Sequence, residues 1–260
     1  MNKNVFSSKV TEHVTLITLH RPEAANALSL QLLRELNEAI EEIKNDRTTR
    51  VVIITGSGEK IFCAGTDLKE RARMNEEQVC KTVSIIRETV AKLELLPQPV
   101  IAALNGSAFG VGLELALACD IRMAAEHTVF GLTETSLGLI SGSGGTQRLP
   151  RLIGKGRAKE LIFTARKITA VEAEKLGLVE HVIPSNQLLE KSIRLAEQIA
   201  SNAPTAVIQA KIAINRGLET DLATGLMIEQ IAYERTIPTK DRLEGLQAFK
   251  EKRKPVYKGE

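Results

Sequence analysis

Apolar and polar positions follow two different periods along the first two-thirds of the chain. Residues 14–19 (VTLITL) are apolar and β-branched and precede Arg21-Pro22, which predicts a strand followed by a turn. Residues 30–44 carry apolar side chains at helical spacing behind Ser29, a suitable N-cap. The same reasoning predicts strands at 51–55 and 100–104, and a helix at 76–96 that Pro97 stops. This alternation favours an α/β core over a sandwich or a helical bundle.

After about residue 186 only the helical period remains. Helices are predicted at 188–201, 203–216, 221–236 and 240–252. We therefore divide the chain into an α/β core (1–197) and a C-terminal helical region (198–260). The second part is small for an independent core, and its helices keep apolar faces. It either packs on its own core or forms contacts between subunits.

Composition narrows the class of protein. A chain of 260 residues, 43% hydrophobic and 26% charged, suits one large folded domain or a domain with an appendage. Its apolar runs are too short to span a bilayer, and the N-terminal segment lacks a secretory apolar core. A net charge of +3 does not make nucleic acid the default partner.

The cysteines and histidines bear on location and metal binding. Cys63, Cys80 and Cys119 are odd in number and show no CxxC pairing, which indicates reduced thiols in a cytoplasmic protein. The four histidines are scattered without metal-ligand spacing, so no bound metal is expected.

Three segments carry candidate chemistry, and the first is 61–70 (IFCAGTDLKE). The small residues Ala64 and Gly65 follow a strand and would let a ligand approach the backbone N–H groups. An Ala-Gly pair is also common in ordinary turns, so this segment alone leaves both interpretations open.

In the second segment, 105–120, a strand leads through a glycine turn into a helix that is apolar nearly all round. Glu114 lies in its first turn, and a buried carboxylate is costly unless it is paired, hydrogen-bonded or protonated. Either Arg122 neutralises it, or Glu114 is an acid/base group with a shifted pKa. The amides near residues 110–112 lie at the positive end of this helix, where they could hold an oxyanion.

The third segment, 129–149, contains a second carboxylate, Glu134, in an apolar setting flanked by glycines. The glycine run that follows has the wrong spacing for a dinucleotide-binding fingerprint and lacks the βαβ context. Two partly buried carboxylates and two backbone-donor loops fit water activation and proton delivery around a carbonyl-type oxyanion.

These residues resemble the crotonase, or enoyl-CoA hydratase/isomerase, family. The similarity lies in segments 62–70, 101–120, 130–140 and 144–154, keeps the family's order and covers nearly the whole chain. The last residues, 236–260, resemble the methylglutaconyl-CoA hydratase branch, which includes an AU-rich-RNA-binding hydratase. The resemblance implies an α/β spiral of ββα repeats with a C-terminal trimerisation region, and a homotrimer or hexamer. It also implies a CoA-thioester substrate and no separate cofactor.

The resemblance also implies roles for individual residues. Glu114 would deprotonate the water that attacks Cβ of a 2-enoyl-CoA, and Glu134 would protonate Cα, so that water adds syn. The backbone N–H groups of Ala64 and Val111 would form the oxyanion hole. Val111 stands where relatives commonly have Gly, and Ser141 where many have Pro. The implied CoA and substrate contacts are Ala64, Gly65, Thr66, Asp67, Leu68, Lys69 and Gly112, with Phe249 and Lys252 from a neighbouring subunit.

The acyl group is the least determined part of this prediction. A 3-methylglutaconyl group, as in leucine breakdown, has a distal carboxylate that needs a cation in the pocket. Arg71 and Arg73 are the candidates, with Lys69 and Arg73 expected on one face of a helix. The alternative is that these cations are solvated or bind CoA phosphates.

Two rival functions are open. A Δ3,Δ2-enoyl-CoA isomerase of this family typically uses one carboxylate, so the retention of two favours a hydratase.

RNA binding is the rival function from another class of protein. The helix at 30–44, where the RNA-binding relative is lysine-rich, has four Glu against one Arg and one Lys. Phosphate binding needs clustered positive charge, so RNA is not an expected partner.

Overall fold

A computed structural model describes residues 3–260. Within that range the strands are β1 (Val5–Lys9), β2 (Val14–Leu19), β3 (Val51–Gly56), β4 (Ile61–Cys63), β5 (Val100–Leu104), β6 (Ser107–Phe109), β7 (Ile121–Ala125), β8 (Val129–Gly131), β9 (Ile168–Thr169) and β10 (His181–Ile183). The helices are α1 (Leu30–Asn45), α2 (Leu68–Arg71), α3 (Glu76–Glu94), α4 (Val111–Leu117), α5 (Gly145–Ile153), α6 (Lys155–Thr164), α7 (Ala170–Leu176), α8 (Leu188–Ala200), α9 (Pro204–Gly217), α10 (Leu222–Glu234) and α11 (Lys240–Glu251). Single 3-10 turns occur at Pro22–Ala24, Glu134–Leu137 and Ser185–Gln187.

Two sheets form the core. The larger has the order β1-β2-β3-β5-β7-β10 and is parallel except for the β1–β2 pair, and the smaller has the order β4-β6-β8-β9. The pairs β3/β4, β5/β6 and β7/β8 each place one strand in each sheet before the chain continues into helix. This is a spiral of ββα repeats, so the predicted α/β fold class is confirmed.

Helix α1 packs on β1 and β2 of the larger sheet, and α3 packs mainly on α1. Helix α1 buries Leu32, Leu36 and Ile40 completely or nearly so, and the Ser29 side chain accepts the Leu32 N–H at its start, as predicted. Helix α3 begins with a capping box at Asn75 and ends two residues short of the predicted bound. These helices are part of one continuous apolar core.

The C-terminal helices divide into two groups. Helix α8, which contains residue 197, packs against β2, β3, β5 and β7 and so belongs to the core layers. Helices α9 and α10 pack mainly against each other, and the Lys211 ammonium ties α9 to the core through the Asp120 carboxylate at 2.8 Å and Gln98 O at 3.0 Å. The division at residue 197 stays a prediction.

The three cysteines lie in two environments. Cys63 and Cys119 are buried, and burial raises the pKa of each thiol to about 12. Cys80, on α3, is exposed.

Across residues 3–260 no helix is both long and apolar enough to cross a membrane. No group of three or more potential metal ligands is found in the same range.

Candidate active site

Glu114 is fully buried in the first turn of α4 and is held on one side only. Its Oε1 accepts the backbone N–H groups of Ser143 and Gly145, both at 2.7 Å, whereas Oε2 has no hydrogen bond with any described residue. Burial raises the pKa of this carboxyl, the two amides lower it, and the charge of Glu134 raises it. The free oxygen is therefore available to a ligand.

Arg122 does not neutralise Glu114, so that alternative is wrong. Its guanidinium pairs with Glu180 and donates to Cys119 O at 2.7 Å and Leu178 O at 2.9 Å. These bonds occupy it fully within the core.

Residues 141–145, here called the Glu114 loop, are fixed from behind by Arg148. One guanidinium nitrogen donates to Ser143 O at 2.8 Å, and two others bind the Glu94 carboxylate at 2.8 and 2.7 Å. Gly144 has φ +109°, and a Cβ there would lie 1.8 Å from Arg148 Nη1. Only glycine lets the loop and the arginine approach in this way.

Glu134 begins a 3-10 turn beside the N-terminus of α4. The Thr135 hydroxyl anchors the turn to α6 by donating to Ile162 O at 2.5 Å. Both Glu134 carboxylate oxygens are buried without a hydrogen-bond partner of normal geometry in residues 3–260, and burial raises the pKa of the group. A Cβ on Gly110 would lie 3.2 Å from Glu134 Oε1, so this glycine leaves the carboxylate its space.

One of the two predicted oxyanion donors is free and the other is not. Val111 is the first residue of α4, where an N–H has no partner within the helix, and its amide makes no other hydrogen bond in residues 3–260. The Ala64 N–H donates to Ala25 O at 3.1 Å. The expectation for Ala64 is therefore corrected, because its amide is already in use.

Thr66 supplies the free amide on this side. Leu28 bonds to the two residues that flank Thr66. The Leu28 N–H donates to Gly65 O at 2.8 Å, and the Asp67 N–H donates to Leu28 O at 3.2 Å. In such a parallel bridge the central residue directs its own N–H to the other side. The Thr66 N–H makes no hydrogen bond within the described chain. The AGT motif alone could not show which amide is free, because Leu28 decides it.

The two amide-bearing loops meet at Gly65. Its φ is +100°, and a Cβ there would lie 3.0 Å from Phe109 O and 3.6 Å from Val111 N. A side chain at this position would enter the space next to the free Val111 amide.

The remaining predicted contacts have different surroundings. Asp67 caps α2 and pairs with Arg21 at 2.8 Å, so its carboxylate is used within the protein. A Cβ on Gly112 would lie 2.1 Å from Cys63 O, which gives this glycine a packing role. The exposed residues of the predicted set are Leu68, Lys69, Phe249 and Lys252.

Arg71 and Arg73 are separated by the end of α2. Arg71 lines a cavity that also touches Thr66 and Val83, whereas Arg73 is exposed, lies beyond the helix and does not line that cavity. A Cβ on Gly142 would lie 3.5 Å from Val83 Cγ1, so Val83 contacts both the cavity and the Glu114 loop. The expected common helical face of Lys69 and Arg73 is wrong, because the helix is four residues long.

Two buried carboxylates with free oxygens, beside two free amides on a spiral of ββα repeats, define a site for proton transfer next to a carbonyl oxygen. The chain belongs to the enoyl-CoA hydratase/isomerase family, whose model matches residues 9–260. Members of this family act on acyl-CoA thioesters.

Individual relatives agree with this assignment. The chain is 61% identical to the YngF protein of Bacillus subtilis (strain 168), with 100% of each chain covered. It is 50% identical to the mitochondrial methylglutaconyl-CoA hydratase of Homo sapiens, over 95% of this chain and 74% of that protein. A crystal structure of an enoyl-CoA hydratase from Bacillus anthracis superimposes with a TM-score of 0.98 at 61% identity, covering 99% of this chain and 100% of the other.

Proposed function

We propose that this protein is an enoyl-CoA hydratase that adds water syn across the double bond of a 2-enoyl-CoA thioester. The observation that carries the proposal is a pair of glutamates with buried, unsatisfied carboxylate oxygens, Glu114 Oε2 and both oxygens of Glu134. A water molecule between them would have acceptors on both sides, and the thioester oxygen would lie at the free amides.

In this mechanism the amides of Thr66 and Val111 hold the thioester oxygen and stabilise the enolate-like charge that develops there. Glu114 takes a proton from the water as its oxygen attacks Cβ, and Glu134 gives a proton to Cα. The two carboxyl groups act on one water and titrate as a coupled pair, so one shared proton is the resting state that fits the mechanism.

For the acyl group, the proposal is 3-methylglutaconyl-CoA. It rests on similarity to methylglutaconyl-CoA hydratases at 50–51% identity and on Arg71, a cation in the wall of the cavity that Thr66 also lines. The cavity is water-sized, about 10 Å³, so the acyl group would have to displace its lining for the distal carboxylate to meet Arg71. The cytoplasmic location and a role in leucine breakdown stay predictions.

A substrate screen tests both levels of the proposal. Hydration is measured with crotonyl-, longer-chain 2-enoyl-, 3-methylcrotonyl- and 3-methylglutaconyl-CoA, and double-bond migration with a 3-enoyl-CoA. We expect hydration to dominate, with the highest kcat/KM for 3-methylglutaconyl-CoA. Faster turnover of the 3-enoyl-CoA would favour the isomerase instead. A preference for crotonyl-CoA would refute the acyl assignment while leaving the hydratase intact.

The arginine assignment has a matched pair of variants. Arg71→Met should lower kcat/KM for 3-methylglutaconyl-CoA about 10- to 150-fold relative to crotonyl-CoA, equivalent to losing a charged hydrogen bond of about 1.5–3 kcal/mol. Arg73→Met, exposed and outside the cavity wall, should leave the ratio unchanged. If both variants keep the parent ratio, Arg71 does not bind the acyl carboxylate.

We also propose a homotrimer or a dimer of trimers built through the C-terminal helices. Helix α10 buries only Ala232 among its described residues and exposes Leu222, Leu226, Met227, Ile231 and Tyr233. Exposed apolar surface of this extent marks a contact with another subunit. Phe249, 86% exposed at the end of α11, and Lys252 would then reach a neighbour's CoA.

A further inference from the structure

Ser141 is a buried serine whose hydroxyl is not used by the fold. It is 4% exposed, and its Oγ has no hydrogen-bond partner of normal geometry in residues 3–260. A buried hydroxyl that makes no hydrogen bond lowers the stability of the fold. Such an atom in a catalytic loop points to a partner that arrives with the substrate or with a change of protonation.

The surroundings of Ser141 contain both glutamates. A Cβ added to Gly145 would lie 3.0 Å from Ser141 Cβ and 3.1 Å from Glu114 Oε1, so the serine stands next to the held oxygen of Glu114. The Ser141 hydroxyl is also the side-chain donor that lowers the pKa of Glu134, against the larger effect of burial. A hydroxyl hydrogen rotates freely, so a small adjustment turns this contact into a full hydrogen bond.

The other charged groups nearby do not take this place. Glu114 on α4 is like-charged, and Arg148 behind it is bound to Glu94 and to Ser143 O. Helix α6 packs against the Glu134 turn, and its ionisable side chains are all exposed: Lys155, Arg157, Lys159 and Glu160. Once Glu134 has given up its proton, the donors that act on it within residues 3–260 are its own backbone N–H and one side chain, the Ser141 hydroxyl.

We infer that Ser141 is a positioning residue for Glu134: its hydroxyl donates to the Glu134 carboxylate that remains after protonation of Cα, and it holds that carboxylate toward the substrate. This inference rests on the proposed hydratase chemistry for its catalytic meaning. The serine–glutamate hydrogen bond itself can be measured without turnover. No covalent step is involved, since the hydroxyl keeps its proton throughout.

The test is a titration of the full-length protein labelled with 13Cδ-glutamate and followed by NMR. The Glu134 signal is assigned by its loss in Glu134→Gln. Removing a donor to the ionised form disfavours that form, so Ser141→Ala should raise the Glu134 pKa by about one pH unit. Ser141→Cys keeps the shape with a weaker donor and should give an intermediate value. Ser136→Ala is the control, because that exposed hydroxyl lies in the Glu134 turn but donates to Thr133 O.

Kinetics supply the second measurement. The pH profile of hydration should move in the same direction as the NMR titration in Ser141→Ala, with kcat reduced about 10-fold and KM nearly unchanged, as for a group that acts through Glu134. An unchanged Glu134 titration in Ser141→Ala would overturn the inference, whatever the activity. A shifted titration in a protein without hydratase activity would support the hydrogen bond and refute the proposed function.

Discussion

Glu114 is fully buried and Glu134 is partly buried with both carboxylate oxygens inaccessible, and the fold holds the two groups differently. Two amides hold one oxygen of Glu114, whereas neither oxygen of Glu134 has a hydrogen bond of normal geometry with a described residue. Hydrogen bonds to the ionised form favour ionisation, and burial without them favours the protonated form. Burial raises the pKa of both carboxyls, and the charge of Glu134 raises that of Glu114 further, so in the proposed mechanism the two groups titrate together around one shared proton.

Replacing either glutamate should remove most of the activity without unfolding the protein. Glu114→Gln and Glu134→Gln should each lower kcat for hydration about 10²- to 10⁴-fold, the usual contribution of acid/base groups. Because both act on one water in the proposed mechanism, the double variant should lose far less than the product of the two single losses. Steady-state kinetics together with circular dichroism check this. Near-normal turnover in either single variant would contradict the two-glutamate mechanism.

The buried charge of Glu134 also predicts a pH-dependent stability. Its folded-state pKa is raised, so between the unfolded and folded pKa values the folded protein binds more protons, and stability falls as pH rises through that window. Glu134→Gln removes this cost. Its Tm should exceed that of the parent at pH 8, and the difference should close as pH falls toward about 4. Glu126→Gln, at an exposed position, is the control. A difference that does not depend on pH would argue against a buried charge.

At the scale of elements, the Glu114 loop depends on the fit between Gly144 and Arg148. Gly144→Ala should strain the backbone and displace the guanidinium, which moves the amides that hold Glu114. We expect hydration to fall about 10²-fold, as for a misplacement of roughly 1 Å.

A substitution at a second glycine separates the effect of backbone strain from the effect of displacing the Arg148 guanidinium. Gly177 has φ +79° with no atom within 4 Å of an added Cβ, so Gly177→Ala introduces strain alone. It should cost about 1–3 kcal/mol of stability and leave the hydration rate as it is. The hydration rate and the Tm are measured for both variants. If Gly144→Ala and Gly177→Ala lose the same fraction of the hydration rate, Arg148 does not fix the Glu114 loop.

The long elements follow from sequence, and the short ones do not. Helices α1, α3 and α8 have enough turns to show their period, and their ends agree with the prediction to within two residues. The strands β4, β6 and β8 have three residues each, too few to show an alternation, and they pair with segments far away in the chain.

The same limit explains the correction of the oxyanion donor. Positions 64 and 66 flank Gly65 and each has a backbone N–H. Ala25 O accepts that of Ala64, whereas the bonds of Leu28 to Gly65 and Asp67 leave that of Thr66 without a partner in residues 3–260. Both glutamates were predictable because an ionisable residue in an apolar setting is conspicuous in sequence. The two amides that hold Glu114 belong to Ser143 and Gly145, whose side chains do not take part, so no residue type identifies these donors in the sequence.

The exposed face of α10 bears on how the whole molecule assembles, because the proposed trimer or hexamer would cover it. Met227 and Ile231 are 64% and 57% exposed and lie one helical turn apart. The double variant Met227→Lys/Ile231→Lys should have a molar mass in light scattering closer to the monomer's 28.4 kDa than to that of a trimer or hexamer. Its circular dichroism spectrum should be unchanged. The control Leu95→Lys, at an exposed leucine after α3, should leave the molar mass unchanged. A parent protein that is monomeric at micromolar concentration would refute the assembly.

Because the three thiols differ in exposure, the number of labelled cysteines reports whether the protein is folded. Cys80 is open to a maleimide reagent, whereas Cys63 and Cys119 are buried and, with a pKa of about 12, carry almost no reactive thiolate at neutral pH. Mass spectrometry should therefore count one added label on the native chain and three after denaturation. The rate at which the second and third labels appear would report how often the core opens, and a dye at Cys80 would mark a single defined site without any change to the sequence.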